Sequence, residues 1–193
     1  GAGSPAPTTR PNAAAPAGMN KHSYLAADGG PHMLLPVGIA SSWSGASSMA
    51  AALNPKSDYG RACAATTSTQ MAAITVGPGA ALVFADPPMT AWGTSADGLV
   101  EVYDLKSWTG TNLDALIDRA TATLPTPSMT DTGVKLRLEV PDAFLLYAGD
   151  TPTSTAYGVH RVPLPPGTYR VLSGSYSGPG ESVAIYRLQR TGT

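Results

Sequence analysis

Three histidines, one cysteine and thirteen acidic residues are the groups in this 193-residue chain equipped for catalysis or metal binding. His22 and His32 lie near each other and His160 is remote, whereas a tetrahedral zinc centre takes three or four converging ligands. That spacing predicts no metal site. Cys63 stands among Ala62, Ala64 and Ala65, small apolar neighbours that predict a buried structural thiol. The competing reading makes Cys63 a nucleophile with His32 and a carboxylate, which requires all three within hydrogen-bond reach. Arg61 would not activate the thiol, because positions i and i+2 of a helix point apart. Ser42-Trp43-Ser44-Gly45 lacks the glycine two before a serine that a hydrolase elbow needs. Gly77-Pro78-Gly79 is followed by no helix, so it is no dinucleotide cradle. Asp114 and Asp118 read as an exposed helix face rather than an acid–base pair. No catalytic residue and no cofactor are predicted.

Aromatic residues make up only 7% of the chain, which singles out Trp43, Trp92 and Trp108. Each lies beside Gly, Ser or Thr, in a predicted loop. Two readings stand: they cap a core, or they anchor an interface, where rigid aromatics carry much of the binding energy.

These groups need a scaffold, and composition limits its kind. Apolar residues are 42%, enough to bury a core, and Gly (21) and Pro (18) together make about a fifth of the chain. That is below the ~25–30% of structureless sequences. Charged residues are only 13%, so Ser and Thr supply much of the polar surface. A net charge of −1 with no run of Lys or Arg excludes a nucleic-acid partner. A single cysteine excludes an internal disulfide and fits a reducing compartment.

Residues 1–18 hold Pro5, Pro7, Pro11 and Pro16 and no large apolar side chain, so they read as a disordered arm or upstream extension, with Met19 a candidate start. The arm lacks the apolar stretch of a signal peptide. The most apolar run, Met71 to Phe84, is broken at Gly77-Pro78-Gly79, well short of the ~20 residues a membrane span needs. Strand patterns dominate what remains: Met33–Leu35, Ala72–Val76 and Ala81–Phe84 as a hairpin, and Leu99–Leu105. In the second half come Val134–Val140, Phe144–Tyr147, a second hairpin of Arg161–Leu164 with Thr168–Leu172 around Pro165-Pro166-Gly167, and Val183–Leu188. One amphipathic helix is signalled by Leu113, Leu116, Ile117, Ala120 and Leu124, capped by Thr111 or Asn112 and stopped by Pro125. Weaker helices are expected over Asp58–Ala65 and Ser47–Leu53.

The expected fold is mainly β: an N-terminal β unit (19–110), a connecting helix (111–127) and a C-terminal β unit (128–193) in one body. The two units look alike. Leu34-Leu35 matches Leu145-Leu146, Ile74–Gly79 matches Val162–Gly167, Val83-Phe84 matches Val171-Leu172, and Val100–Leu105 matches Val183–Leu188. This is either an internal duplication or the generic likeness of two hairpins.

Five strings, in order, carry a resemblance. They are Gly29-Gly30-Pro31 with Leu34-Leu35-Pro36; Trp43-Ser44-Gly45; Asp58-Tyr59-Gly60-Arg61-Ala62-Cys63-Ala64; Val76-Gly77-Pro78-Gly79 with Ala81-Leu82-Val83; and Asp86-Pro87-Pro88-Met89-Thr90-Ala91-Trp92. In these residues the chain resembles the Immunity protein 21 family of bacterial polymorphic toxin systems. The likeness covers about a third of the chain, and the second half shares only a β pattern. Where the family carries an Arg-Trp pair, this chain reads Val100-Glu101-Val102-Tyr103. The resemblance implies a cytoplasmic antidote that binds and neutralises a cognate toxin domain; the charge and the lack of an apolar span predict no nucleic acid and no membrane partner. The expected contact residues are Trp43, Asp58, Tyr59, Arg61, Asp86, Trp92, Asp97 and Glu101, the carboxylates steering a basic toxin. Two other classes compete: a small enzyme using Cys63 and His32, and an extracellular β-rich binding domain suggested by the Ser, Thr and Gly content.

Overall fold

A computed structural model describes residues 22–27, 29–46, 54–93, 98–102 and 112–193. The arm, the expected helix at Ser47–Leu53, the 103–105 end of the Leu99 strand, Asp97 and Trp108 lie outside the described residues. The strands are β1 (Ser23–Ala26), β2 (His32–Pro36), β3 (Met71–Val76), β4 (Gly79–Phe84), β5 (Met89–Gly93) and β6 (Gly98–Val102), then β7 (Thr130–Leu138), β8 (Ala143–Tyr147), β9 (Val159–Val162), β10 (Gly167–Gly178) and β11 (Glu181–Gly192). Among the described residues two α-helices accompany them, α1 (Asp58–Ala65) and α2 (Leu113–Thr123). Both begin as the sequence predicts. The Ser57 hydroxyl accepts from the Gly60 amide, and the Asn112 side chain accepts from the Ala115 amide.

The strands form two antiparallel sheets, ordered β1-β5-β6-β11-β10-β7 and β3-β4-β2-β8-β9. Their facing sides make the main core, with Leu25, Leu34, Phe84, Trp92, Leu99, Leu138, Leu145, Val171 and Leu188 among its members. On the outer side of the six-stranded sheet, Leu113, Leu116, Ile117 and Ala120 of α2 pack on Met89, Ala91, Val183 and Ile185. On the outer side of the five-stranded sheet, Tyr59 and Ala62 of α1, with Ala40 and Trp43, pack on Met33, Leu35, Ile74, Val76 and Val83. Helix, sheet, sheet and helix are therefore stacked in four layers.

The duplication is present in the topology. Strands β6 and β11 are adjacent and antiparallel, and so are β2 and β8. Outward from those pairs, β5 and β1 on one side answer β10 and β7 on the other, while β4 answers β9. Each unit runs edge strand, central strand, neighbour, then a hairpin in the six-stranded sheet. The strand order is thus two-fold symmetric about the β2–β8 and β6–β11 seams, and Leu34 pairs with Leu145 at this topological axis. The N-terminal unit alone carries an insertion between its second and third equivalent strands, the stretch with the 3-10 turn Val37–Ser42, α1 and β3.

Two expectations are corrected here. The second predicted hairpin does not exist: β9 pairs with β8 in one sheet, and β10 pairs with β7 and β11 in the other. Pro163, Pro165 and Pro166 have no amide hydrogen to give a ladder, so the segment crosses between sheets instead. The Leu164 amide donates to Asp142 Oδ1 (3.2 Å), and the Tyr169 hydroxyl donates to the Pro165 carbonyl (2.6 Å), fixing the crossing. Accordingly the equivalence runs β4 to β9, and not Ile74–Gly79 to Val162–Gly167. The real C-terminal hairpin is β10–β11, turning at Pro179-Gly180.

Candidate functional site

Most of the strings that carry the resemblance meet at one end of the five-stranded sheet, around α1. Asp86, at φ +31°, turns its carboxylate so that Oδ1 accepts from the amides of Gly29 (3.0 Å) and Gly30 (2.7 Å). A Cβ on Gly30 would overlap the Tyr59 hydroxyl and the Tyr147 ring, so only glycine fits that approach. The Tyr59 and Tyr147 hydroxyls share a hydrogen bond of 2.8 Å, and the Tyr147 ring meets Tyr157 edge-on. Burial and the Tyr59 hydroxyl push the Tyr147 phenol far above its ordinary pKa, so the Tyr147 phenol is neutral.

Beside this cluster, Asp58 ties the segment after the 3-10 turn to α1. One carboxylate oxygen accepts from the Ser44 amide (2.7 Å), the other from Arg61 (2.9 Å). Arg61 also donates to the Thr75 carbonyl (2.8 Å) on β3 and lies 6.0 Å from the centre of the Trp43 ring. The Trp43 indole donates to the Ala148 carbonyl (3.0 Å). These side chains staple α1 to the sheet.

Of the expected contact residues, Asp58, Arg61 and Asp86 keep part of their surface. Trp43 and Tyr59 do not, at 3% and 1% exposure. Trp92 is corrected from loop to strand: it belongs to β5, faces between the sheets and is 1% exposed. Its Gly, Ser and Thr neighbours disguised the strand. Glu101 is corrected from a surface carboxylate to a fully buried one on β6. It lies two residues from Leu99, so the side of β6 that faces Leu99 into the core faces Glu101 there as well. Asp97 lies outside the described residues.

His32 and Cys63 are apart. His32 is fully buried on the inner side of β2. Its Nε2 donates to the Ala27 carbonyl (2.8 Å), which leaves Nδ1 to accept from the Thr90 hydroxyl (2.8 Å). Burial lowers its pKa to about 4, so the ring is neutral at pH 7. Cys63 packs in the α1 layer on the other side of the sheet, and burial raises its thiol pKa. The two form no dyad. Among the described residues no three His, Cys, Asp or Glu groups gather to hold a metal. No described helix is long and apolar enough to cross a membrane.

One surface went unnoticed in the sequence. Over β7 and the first half of β10, α2 does not reach the outer side of the six-stranded sheet. Lys135 and Arg137 of β7 project there, with Arg170 of β10 and Gln189 of β11. The signal was in the alternation of Val134–Val140, whose polar positions begin with two cations.

A family model described as Immunity protein 21 matches residues 23–180, reaching across both units. No curated protein and no solved structure matches the chain.

Proposed function

The chain belongs to the Immunity protein 21 family, and from that premise we propose that it neutralises a cognate polymorphic-toxin domain by stoichiometric binding in the bacterial cytoplasm. The observation that carries this reading is the extent of the family match, which takes in β1 through the whole of β10. The chemistry of the chain agrees with it. Asp58, Arg61, Asp86, Tyr59 and Tyr147 are engaged in hydrogen bonds within the protein, and His32 and Cys63 serve separate layers. What such a scaffold offers is a rigid, shaped surface, which is what an inhibitor requires. The test is coexpression with the toxin domain encoded beside it. Cells should survive, and the two proteins should elute together at one-to-one ratio. Killing that continues with no complex formed overturns the reading.

A further inference from the structure

We propose that the part of the six-stranded sheet's outer side that α2 leaves uncovered, bearing Lys135 and Arg137 of β7 and Arg170 of β10, is the surface against which the toxin presents a carboxylate-rich patch. This rests on the binding role proposed above and adds the surface and its charge. The ladder register places Lys135 directly opposite Arg170, and Arg137 directly opposite Thr168. Like charges facing each other across an antiparallel pair destabilise it. The pair is offset on the Arg170 side only. Arg170 has Asp131 at 3.7 Å and shares a hydrogen bond with Gln189, and Lys135 pairs with no carboxylate among the described residues. Arg137 is held by Glu139 (3.0 Å), just past the end of β7, with half its side chain exposed.

Charged residues on an edge strand also discourage edge-to-edge pairing. That purpose accounts for Lys135 and Arg137 on β7. It does not account for Arg170, which lies one strand in from the edge and faces Lys135. A repulsion built into the register is compensated when an external anion bridges both cations, and the face is open to receive one. Elsewhere the same side of the sheet carries Met89, Ala91, Val183 and Ile185 under α2. A protein carboxylate surface fits better than nucleic acid. Asp131 and Glu139 border the patch and would repel a continuous phosphate backbone, but they are readily accommodated by a mixed protein surface. The sign is opposite to the acidic steering expected from the sequence, because Glu101 is buried and Asp58 and Asp86 hold backbone amides.

The experiment uses the full chain and the toxin domain encoded beside it, with association followed at low and high salt. K135E/R137E/R170E should slow association by roughly 10- to 1,000-fold at low salt and flatten its salt dependence. K135Q/R137Q/R170Q should act in the same direction with a smaller effect, and it stands in if the reversed variant does not fold by circular dichroism. K56E, a change on the far side of the molecule near α1, should bind as the parent does. A parent that forms the complex while both triple variants bind equally well overturns this surface and leaves the family reading standing. A parent that forms no complex sinks both. A fluorescent DNA or RNA duplex bound by the parent and released by the triple variants would make the anion a nucleic acid and overturn the proposal.

Discussion

The two β units share a plan but not a covering. Outer faces of the N-terminal unit are roofed by α1 on one sheet and α2 on the other, and the stapling residues Asp58, Arg61, Asp86 and Trp43 all belong to it. Its C-terminal counterpart carries no insertion between β8 and β9, and its hairpin strands run 12 residues each where β5 and β6 run 5. A covered outer face needs apolar residues on both sides of each strand, whereas an uncovered one must alternate. Strand β7 does alternate, with Leu136 and Leu138 buried and Lys135 and Arg137 exposed between them. Duplicated architecture thus leaves the N-terminal half covered and one part of the C-terminal half, β7 with the first half of β10, free to present charge.

The comparison breaks first at Trp43. Trp43→Ala should cost about 3–5 kcal/mol in urea unfolding, because it removes a buried indole and strands the Ala148 carbonyl. Arg137→Ala in the bare half should stay within roughly 0.5 kcal/mol. Equal costs would erase the distinction between the halves. At the two-fold axis the halves should instead agree. Leu34→Ala and Leu145→Ala should each cost about 2–5 kcal/mol, and the double variant should depart from their sum because the residues face each other.

An acid titration sharpens the contrast at β2. Folding lowers the His32 pKa from 6.5 to about 4, so the folded state favours the neutral ring. Its contribution is complete above pH 6.5 and is lost as pH falls to about 4, a drop of about 3 kcal/mol on the linkage relation. His32→Gln should flatten that part of the stability–pH curve, measured by urea midpoints; an unchanged slope would show that His32 is not the group responsible. A further small effect has the opposite sign. Replacing Lys135 by Glu turns a like-charge pair with Arg170 into an opposite one, and should stabilise by about 0.2–1 kcal/mol. Gained stability alongside slower toxin association would mark a residue kept for binding at the expense of folding.

Local structure was largely legible in the chain. Asp58–Ala65 is helical as expected, the Gly77-Pro78 turn closes β3 onto β4, and the Leu113–Leu124 stripe lies on the sheet. The matching of Leu34-Leu35 to Leu145-Leu146 and of Val100 to Val183 pointed to strands that turn out to be neighbours across the two-fold axis. The apparent hairpin at Pro165-Pro166-Gly167 misled, since two extended segments around a Pro-Gly turn look alike whether they pair or part. Glu101 misled for a different reason: its charge argued for the surface, while its strand position beside Leu99 argued for the core, and packing prevailed.

Periodicity, caps and turns depend on residues a few positions apart, and these by themselves determined the two helices, the β3–β4 hairpin and most strands. Strand partners lie tens of residues away, so pairing depends on how both sheets bury their facing sides together. Only the tertiary structure decided that β9 and β10 separate, that Trp43 and Trp92 belong to the interior, and that Lys135 meets Arg170 on an open face. A side chain's exposure is a property of everything packed around it, and for this protein that surrounding is built from both halves at once.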